Sequence, residues 1–363
     1  MQRYLTAPTS LIISVLRGGA KTRHSGVELL RIIAMILVMI VHADFFSLGI
    51  PTIENLYNAP VPTVTRFLIQ SLSICCVNVF VLISGYFGIR PKLKGLVSFV
   101  YQILFFFCLI YVVCIIIGIS GIRPYGFLQC LCLTPANWFV KAYLLLYIIS
   151  PVLNSFVDMQ NRTLHKHVLI GFYIIQTIYG CMFAASFFEN GYGTLSFIGL
   201  YLLGRYINIY HPTFSNLRLR YDLAIYFICA GVITLLAVGL LKIGKNPDYI
   251  LYTYINPLVI IESLALILSF TKLSFKSKIT NWIASSAFAV YLLHANPNLL
   301  KEFYAGTIKL IYDATSGVLT LIYIGVFIFL VFVSSIIIDQ FRKISYEFFL
   351  KEIRNWRMES RHL

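Results

Sequence analysis

The sequence predicts an all-α polytopic membrane protein of about ten transmembrane helices, with both termini in the cytoplasm. Three observations lead there. Apolar residues make up 59% of the chain and charged residues only 12%, against roughly 45–50% and roughly 25% in globular proteins; mean hydropathy is +0.83. So little polar surface cannot coat a water-soluble particle of 363 residues. The apolar residues fall in runs of about 20, the length a helix needs to cross a bilayer. Basic residues between the runs alternate in density from one side to the other.

Taken in order, the runs are 28–48, 66–87, 97–119, 137–154, 167–185, 193–210, 221–242, 250–271, 279–296 and 317–339. Their interiors are apolar on all sides, without the period-2 alternation of barrel strands. Asn296-Pro297 closes the ninth. The charge count supports this number of crossings. With the N-terminus inside, Arg90, Lys92 and Lys94 follow the second run, Arg162 and Lys166 the fourth, Arg218 and Arg220 the sixth, and Lys272, Lys276 and Lys278 the eighth. In all, 22 of the 29 lysines and arginines face the cytoplasm; only Arg66, Arg123, Lys141, Lys242, Lys245, Lys301 and Lys309 lie outside. A missed or surplus span would scramble that alternation.

The chain divides into a cytoplasmic N-terminal extension (1–25), a ten-helix membrane domain (26–340) and a basic cytoplasmic tail (341–363). The run Leu11–Leu16 is too short for the core of a cleaved signal peptide. The tail alternates bulky apolar and basic residues, as an interfacial helix on anionic lipid does. A net charge of +15 would suggest nucleic acid if it formed one patch, but it is dispersed among loops, so no nucleic-acid partner is expected. The eight cysteines lie mostly inside apolar runs, with no CxxC pair and no zinc spacing. They read as small buried apolar residues, Cys130 and Cys132 being the pair placed in a loop. No metal site is expected.

Ionisable groups inside a span are functional candidates, because each costs at least about 2.5 kcal/mol at the bilayer centre. The first run carries Glu28, Arg31, His42 and Asp44; later runs carry Lys141, Arg205, Glu262 and His294. Arg31 and His42 are eleven residues apart, which on a helix places them within ~20° of one face and ~16 Å apart along the axis. Glu28 precedes Arg31 by three residues, within pairing reach. One stripe through Glu28, Arg31, Ala34/Met35, Val38 and His42 thus carries charge at the inner end and an imidazole in the outer half. Ordinary roles stand beside this one. Arg31 can snorkel to headgroups with Glu28 as its partner, and an intramembrane histidine can simply bond a neighbouring helix.

The stretch Glu28-Leu-Leu-Arg31-Ile-Ile-Ala34 through His42 resembles the opening helix of the acyltransferase-3 family of membrane acyltransferases, whose hallmark is Arg, ten residues, then His. Three further patches agree in order. Asn78-Val-Phe80-Val-Leu-Ile-Ser84-Gly85-Tyr86-Phe87, with Arg90, Lys92 and Lys94 after it, resembles the family's Phe-x-x-Ser-Gly-aromatic segment. Asn137-Trp138-Phe139 leading to Leu146-Tyr147 and Pro151 resembles its Trp-Phe helix. Ser286 through Tyr291-Leu-Leu-His294 resembles its late Tyr-Leu-x-His segment. Glu28 stands where many members carry Asp, and no hydrolase-like domain is attached.

The resemblance implies a bacterial cytoplasmic-membrane O-acyltransferase, stand-alone and of the polysaccharide O-acetyltransferase type. It would move an acyl group, usually acetyl, from acetyl-CoA to a hydroxyl of a surface or capsular polysaccharide or its lipid-linked precursor. No bound cofactor is implied; acetyl-CoA is a donor substrate. The chemistry suits the residues. A sugar hydroxyl is a poor nucleophile near neutral pH, and histidine, with an unperturbed pKa near ~6.5, is the usual base. His42 is the expected base, with Arg31 and Glu28 completing the catalytic group; a covalent acyl-His42 intermediate is the alternative. Arg31, with Arg90, Lys92 and Lys94, is expected to hold coenzyme A phosphates, since guanidinium pairs with phosphate bidentately; ordinary positive-inside bias equally explains the last three. Ser84 and Tyr86 are expected beside the thioester, or Ser84-Gly85 packs helices. Trp138 and His294 are acceptor-side candidates, Trp138 otherwise being an interface anchor. A competing class is a transporter or sugar-lipid flippase, with Glu262, His42 and His294 as a proton relay.

Overall fold

A computed structural model of the chain describes residues 24–118, 124–183 and 185–359. The expected N-terminal extension lies outside them except for its last two residues, as do Arg123 and the final four residues of the tail.

Among the described residues every regular element is helical. The first crossing is α1 (Ser25–Val41), which runs on through a π-helical turn, His42–Phe46. A short α2 (Ile53–Asn58) precedes the second crossing, which is broken into α3 (Pro60–Ser73) and α4 (Cys76–Phe87). Then come α5 (Leu93–Ile116), a short α6 (Pro124–Cys130), and α7 (Trp138–Met159) with Pro151 inside it. Next are α8 (Arg162–Ile175), prolonged by a π-helical turn at Gln176–Met182, then α9 (Thr194–Tyr210) and α10 (Leu219–Lys242). A one-turn α11 (Asp248–Leu251) leads to α12 (Pro257–Thr271), which Asn256 caps through its side chain. The ninth crossing is again broken, into α13 (Lys278–Ala284) and α14 (Ala287–His294). After it α15 (Pro297–Leu299), a π-helical turn and α16 (Gly306–Ala314) stay short. The chain ends in α17 (Val318–Glu359), 42 residues long.

Each expected span therefore coincides with a helix or a broken helix, and six of these are long and apolar enough to cross a membrane on their own. The eighth is shorter than expected. Tyr252–Asn256 is not helical, and Asn256 donates to the carbonyl of Leu251 at 3.0 Å to tie that stretch down. The tail also differs from expectation. No break separates it from the last span, because residues 340–350 hold no proline or glycine to end the helix, so α17 continues straight through it.

Outward faces carry large exposed apolar side chains such as Ile228, Leu235, Phe329 and Leu330. That is the arrangement a protein needs where lipid, not water, surrounds it. Inside, polar contacts gather the loops at two ends. At one end Ser25 donates to Asn281 (3.1 Å), Asn154 to the Ile89 carbonyl (2.8 Å), Tyr210 to the Gln160 carbonyl (3.2 Å), and Lys272 pairs with Asp222. These belong to the segments whose basic residues the sequence assigns to a common side. At the other end Arg66 holds Asp44 at 2.6 Å, and Tyr254 donates its backbone N–H to Asn190 (3.1 Å). Asp44 is buried against Arg66.

Two glycines set the closest helix approach. A Cβ on Gly85 of α4 would stand 2.3 Å from the Tyr201 carbonyl oxygen of α9, and one on Gly204 of α9 would stand 2.6 Å from that of Leu82. Close backbone packing of this kind is how membrane helices associate without a hydrophobic drive. It fixes the Gly85 face of α4 against α9.

Candidate active site

The predicted stripe of α1 lines a cavity. Arg31, Met35, Val38 and His42 succeed one another along its wall, at the spacing of three and four that keeps side chains on one helical face. The cavity holds about 930 Å³, at the upper end of the range for small-molecule sites. Arg31, Gln102 of α5 and Ser285 lie on its wall, and so do Asp248 at the start of α11 and Lys301 in the π-helical turn after α15. Between them the wall is largely aromatic, with Phe99, Phe139, Tyr143, Phe288 and Tyr291.

His42 sits where α1 gives way to its π-helical turn. Such turns insert a residue into the helical ladder and recur at functional sites. The Ser47 hydroxyl donates to the His42 carbonyl at 2.5 Å and steadies the turn. The His42 ring is held by two neighbours: Phe46 meets it edge-on, centroids 5.8 Å apart, and its Nδ1 lies 3.1 Å from His294 Nε2. His294 Nδ1 in turn lies 2.6 Å from the Val290 carbonyl oxygen, one helical turn back on α14. His294 is only 1% exposed and does not line the cavity, so it stands behind His42.

At the inner end Glu28 is buried off the cavity wall, both of its oxygens 3.2 Å from Arg31 Nη1. Ser84 lines the cavity and donates to the Phe80 carbonyl at 3.0 Å. Its single hydrogen being spent there, the Tyr143 hydroxyl 3.0 Å away must be the donor in their contact. Tyr86 is half-buried but off the wall; its carbonyl takes the amide of Asn208. Arg90, Lys92 and Lys94 are exposed and also off the wall. Their loop is pinned by Tyr147, whose hydroxyl contacts Lys92 N and O at 3.0 and 3.1 Å. Trp138 lines the cavity and packs 4.5 Å from Tyr192 and 5.7 Å from Tyr254. Before it, Asn137 adopts left-handed backbone (φ 60°), a conformation asparagine tolerates better than most residues. It too lines the cavity, and its buried Nδ2 has no hydrogen-bond partner among the described residues.

Glu262 is fully buried on α12, away from the cavity wall, with neither carboxylate oxygen hydrogen-bonded among the described residues. Among the described residues no hydrogen bond links it to the His42–His294 pair. Lys141 is spent on the carbonyls of Thr134 (2.9 Å) and Pro135 (3.0 Å). All eight cysteines are free.

Several wall residues escape a search for charge in apolar runs. Tyr143 follows Phe139 by four and Tyr291 precedes His294 by three, spacings that could have placed them. Gln102 is an uncharged polar side chain inside a span. Tyr252 and Tyr254 come from an irregular segment, and Asp248 and Lys301 from a one-turn helix and a π-helical turn, too short for a period to mark a face.

A family profile described as an acyltransferase domain matches residues 24–339. The chain belongs to the acyltransferase-3 family and is a multi-pass membrane acyltransferase. No curated protein and no solved structure matches it.

Proposed function

We propose that this acyltransferase moves an acetyl group from acetyl-CoA to a hydroxyl of a surface or capsular polysaccharide, or of its lipid-linked precursor, in the bacterial cytoplasmic membrane. Both termini face the cytoplasm. The observation that favours this reading is one continuous cavity carrying a guanidinium at one place and an imidazole three turns further along the same helix. Coenzyme A brings its phosphates to Arg31, where a guanidinium pairs with phosphate oxygens bidentately; Arg90, Lys92 and Lys94 add positive charge on that side. The narrow pantetheine arm then reaches along the aromatic wall, and the ~16 Å rise from Arg31 to His42 brings its thioester to the imidazole.

The acceptor enters past Trp138 and Tyr192. Its hydroxyl oxygen attacks the thioester carbonyl while His42 removes the hydroxyl proton, an assistance typically worth ~10²–10⁴-fold. The carbon–sulfur bond then breaks, the ester is released, and the sulfur leaves as a thiol with the proton that His42 returns. Asn137 lines the wall, its buried amide nitrogen has no partner among the described residues, and a turn of the side chain would bring that N–H to the oxyanion of the tetrahedral intermediate. Glu28 holds Arg31 in place.

The test is transfer of label from [¹⁴C]acetyl-CoA to surface glycan in a deletion strain carrying wild-type protein, His42→Gln or His42→Ala at matched membrane level. Wild-type protein should restore labelling, and both variants should fall at least ~10²-fold below it. Near-normal labelling by His42→Gln would remove His42 as the base. No labelled glycan in any strain would remove the acetyl-to-glycan reading itself. A reporter active only in the cytoplasm, fused after Leu363, checks the orientation.

A further inference from the structure

We infer that His294 is a positioning residue: it holds His42 in the tautomer that leaves Nε2, not Nδ1, as the basic atom offered to the cavity. The inference rests on the reading of His42 as the base and names what makes that base competent.

The argument follows the hydrogens. A backbone carbonyl only accepts, so His294 Nδ1, 2.6 Å from the Val290 oxygen, carries a hydrogen. A neutral imidazole has one N–H, so His294 Nε2 is a bare lone pair. His42 Nδ1 lies 3.1 Å from that lone pair. Two lone pairs facing each other at this distance would repel, so His42 Nδ1 carries a hydrogen and donates it. The neutral His42 ring then has its own lone pair on Nε2 alone. One chain of donors, His42 to His294 to the Val290 carbonyl, fixes both rings.

The surroundings favour this over a charged His294. The titratable groups facing the His294 ring are His42, Tyr291 (centroids 6.2 Å apart) and Tyr304 (5.4 Å). The Tyr304 hydroxyl is already spent on the Met39 carbonyl at 2.8 Å. Among the described residues no carboxylate contacts either histidine, so a histidinium here would be a buried charge without a counter-ion, which is costly. His294 is closed off from the cavity and cannot reach a substrate. Its work is done through His42. When His42 accepts the substrate proton on Nε2, its Nδ1–H remains bonded to His294, so the cation forms against a ready acceptor. Histidine bases are commonly oriented by a carboxylate, which also fixes the tautomer. Here a neutral ring backed by a carbonyl does so without burying a second charge in the bilayer.

The experiment uses full-length protein in lipid nanodiscs, with acetyl-CoA as donor and thiol release as readout. His294→Leu keeps bulk and removes the acceptor. It should lower kcat about 10- to 100-fold, the usual worth of an outer-shell partner, with KM for acetyl-CoA unchanged. His294→Gln presents an amide oxygen near the Nε2 position and should restore most of the rate. Joined to His42→Gln, the His294→Leu change should cost nothing more. Independently of any variant, ¹⁵N shifts of labelled histidine in the wild-type protein should show His42 protonated at Nδ1 with Nε2 bare. Full activity in His294→Leu overturns the inference, as does a His294→Gln as inactive as His294→Leu, or a wild-type His42 protonated at Nε2. Should His42→Gln retain activity while His294→Leu loses it, the base reading itself has failed. A dead His42→Gln with a fully active His294→Leu defeats this inference alone.

Discussion

Glu28 grips the Arg31 guanidinium by one nitrogen only. Both carboxylate oxygens lie 3.2 Å from Nη1, and among the described residues Nη2 and Nε have no partner. An arginine that merely neutralised a buried acid would more naturally meet it with two nitrogens, fork to fork. This one is anchored at a corner with its other edge available, and its side chain is about one-third exposed.

Arg31→Lys should therefore insert and fold but use acetyl-CoA poorly, because an ammonium cannot reproduce the fork. The expected signature is an apparent KM for acetyl-CoA raised by about tenfold or more, corresponding to the loss of ~1.4 kcal/mol. An unchanged KM and rate would make Arg31 a headgroup ligand with no part in catalysis.

Asn137→Ala should lower turnover by ~10²-fold or more, the usual cost of an oxyanion donor, with little change in KM for acetyl-CoA. The asparagine occupies left-handed backbone, where alanine is strained. Asn137→Gly, free of that strain, separates the two effects: recovery of the rate in Asn137→Gly would mean that the amide does no chemistry.

Gly85→Ala should destabilise the protein, since its Cβ meets backbone and not a flexible side chain. Overpacking of this kind costs typically ~1–3 kcal/mol. A lowered Tm in detergent with the donor KM unchanged in surviving protein is the expected pair of results. A Tm equal to wild type would show that α4 and α9 can separate freely.

Asp248 opens α11 at the cavity's outer wall, and burial pushes its carboxyl above the ordinary carboxylate range. The folded chain thus keeps this proton to higher pH than the unfolded chain does. Between the ordinary value and the raised one the folded state binds more protons, so stability falls as pH rises through that window. Asp248→Asn should lift Tm near pH 7 and show a shrinking advantage as the pH is brought down through the carboxylate range. A variant less stable at pH 7 would mean that the ionised carboxylate makes a stabilising contact.

Much of this architecture is visible in the sequence because hydropathy and basic loops report directly on what a bilayer demands. The α1 stripe is equally visible, since a single unbroken helix preserves a fixed angle from Arg31 to His42. What is not visible depends on pairing between distant segments. His42 and His294 are 252 residues apart, and no local period announces that they touch. The π-helical turn at His42 has no composition mark, and Asp248 and Lys301 reach the cavity from stretches without a repeating face. The tail misleads for a related reason. Its alternating bulky and basic residues suit an interface, yet nothing in it breaks a helix, and continuity with the last span prevails.

That unbroken α17 has a mechanical consequence. At ~1.5 Å per residue its 42 residues extend ~63 Å, about twice the ~30 Å hydrocarbon thickness, so a long shaft projects past the membrane. Lys343 fastens the shaft to both serines at the break between α13 and α14, 2.9 Å from each hydroxyl. With no joint along its length, a sideways push on the projecting arm is delivered to that fulcrum and so to the segment bearing His294. The helix is a lever pivoted at Lys343, its membrane arm (318–343) longer than the projecting one (343–359).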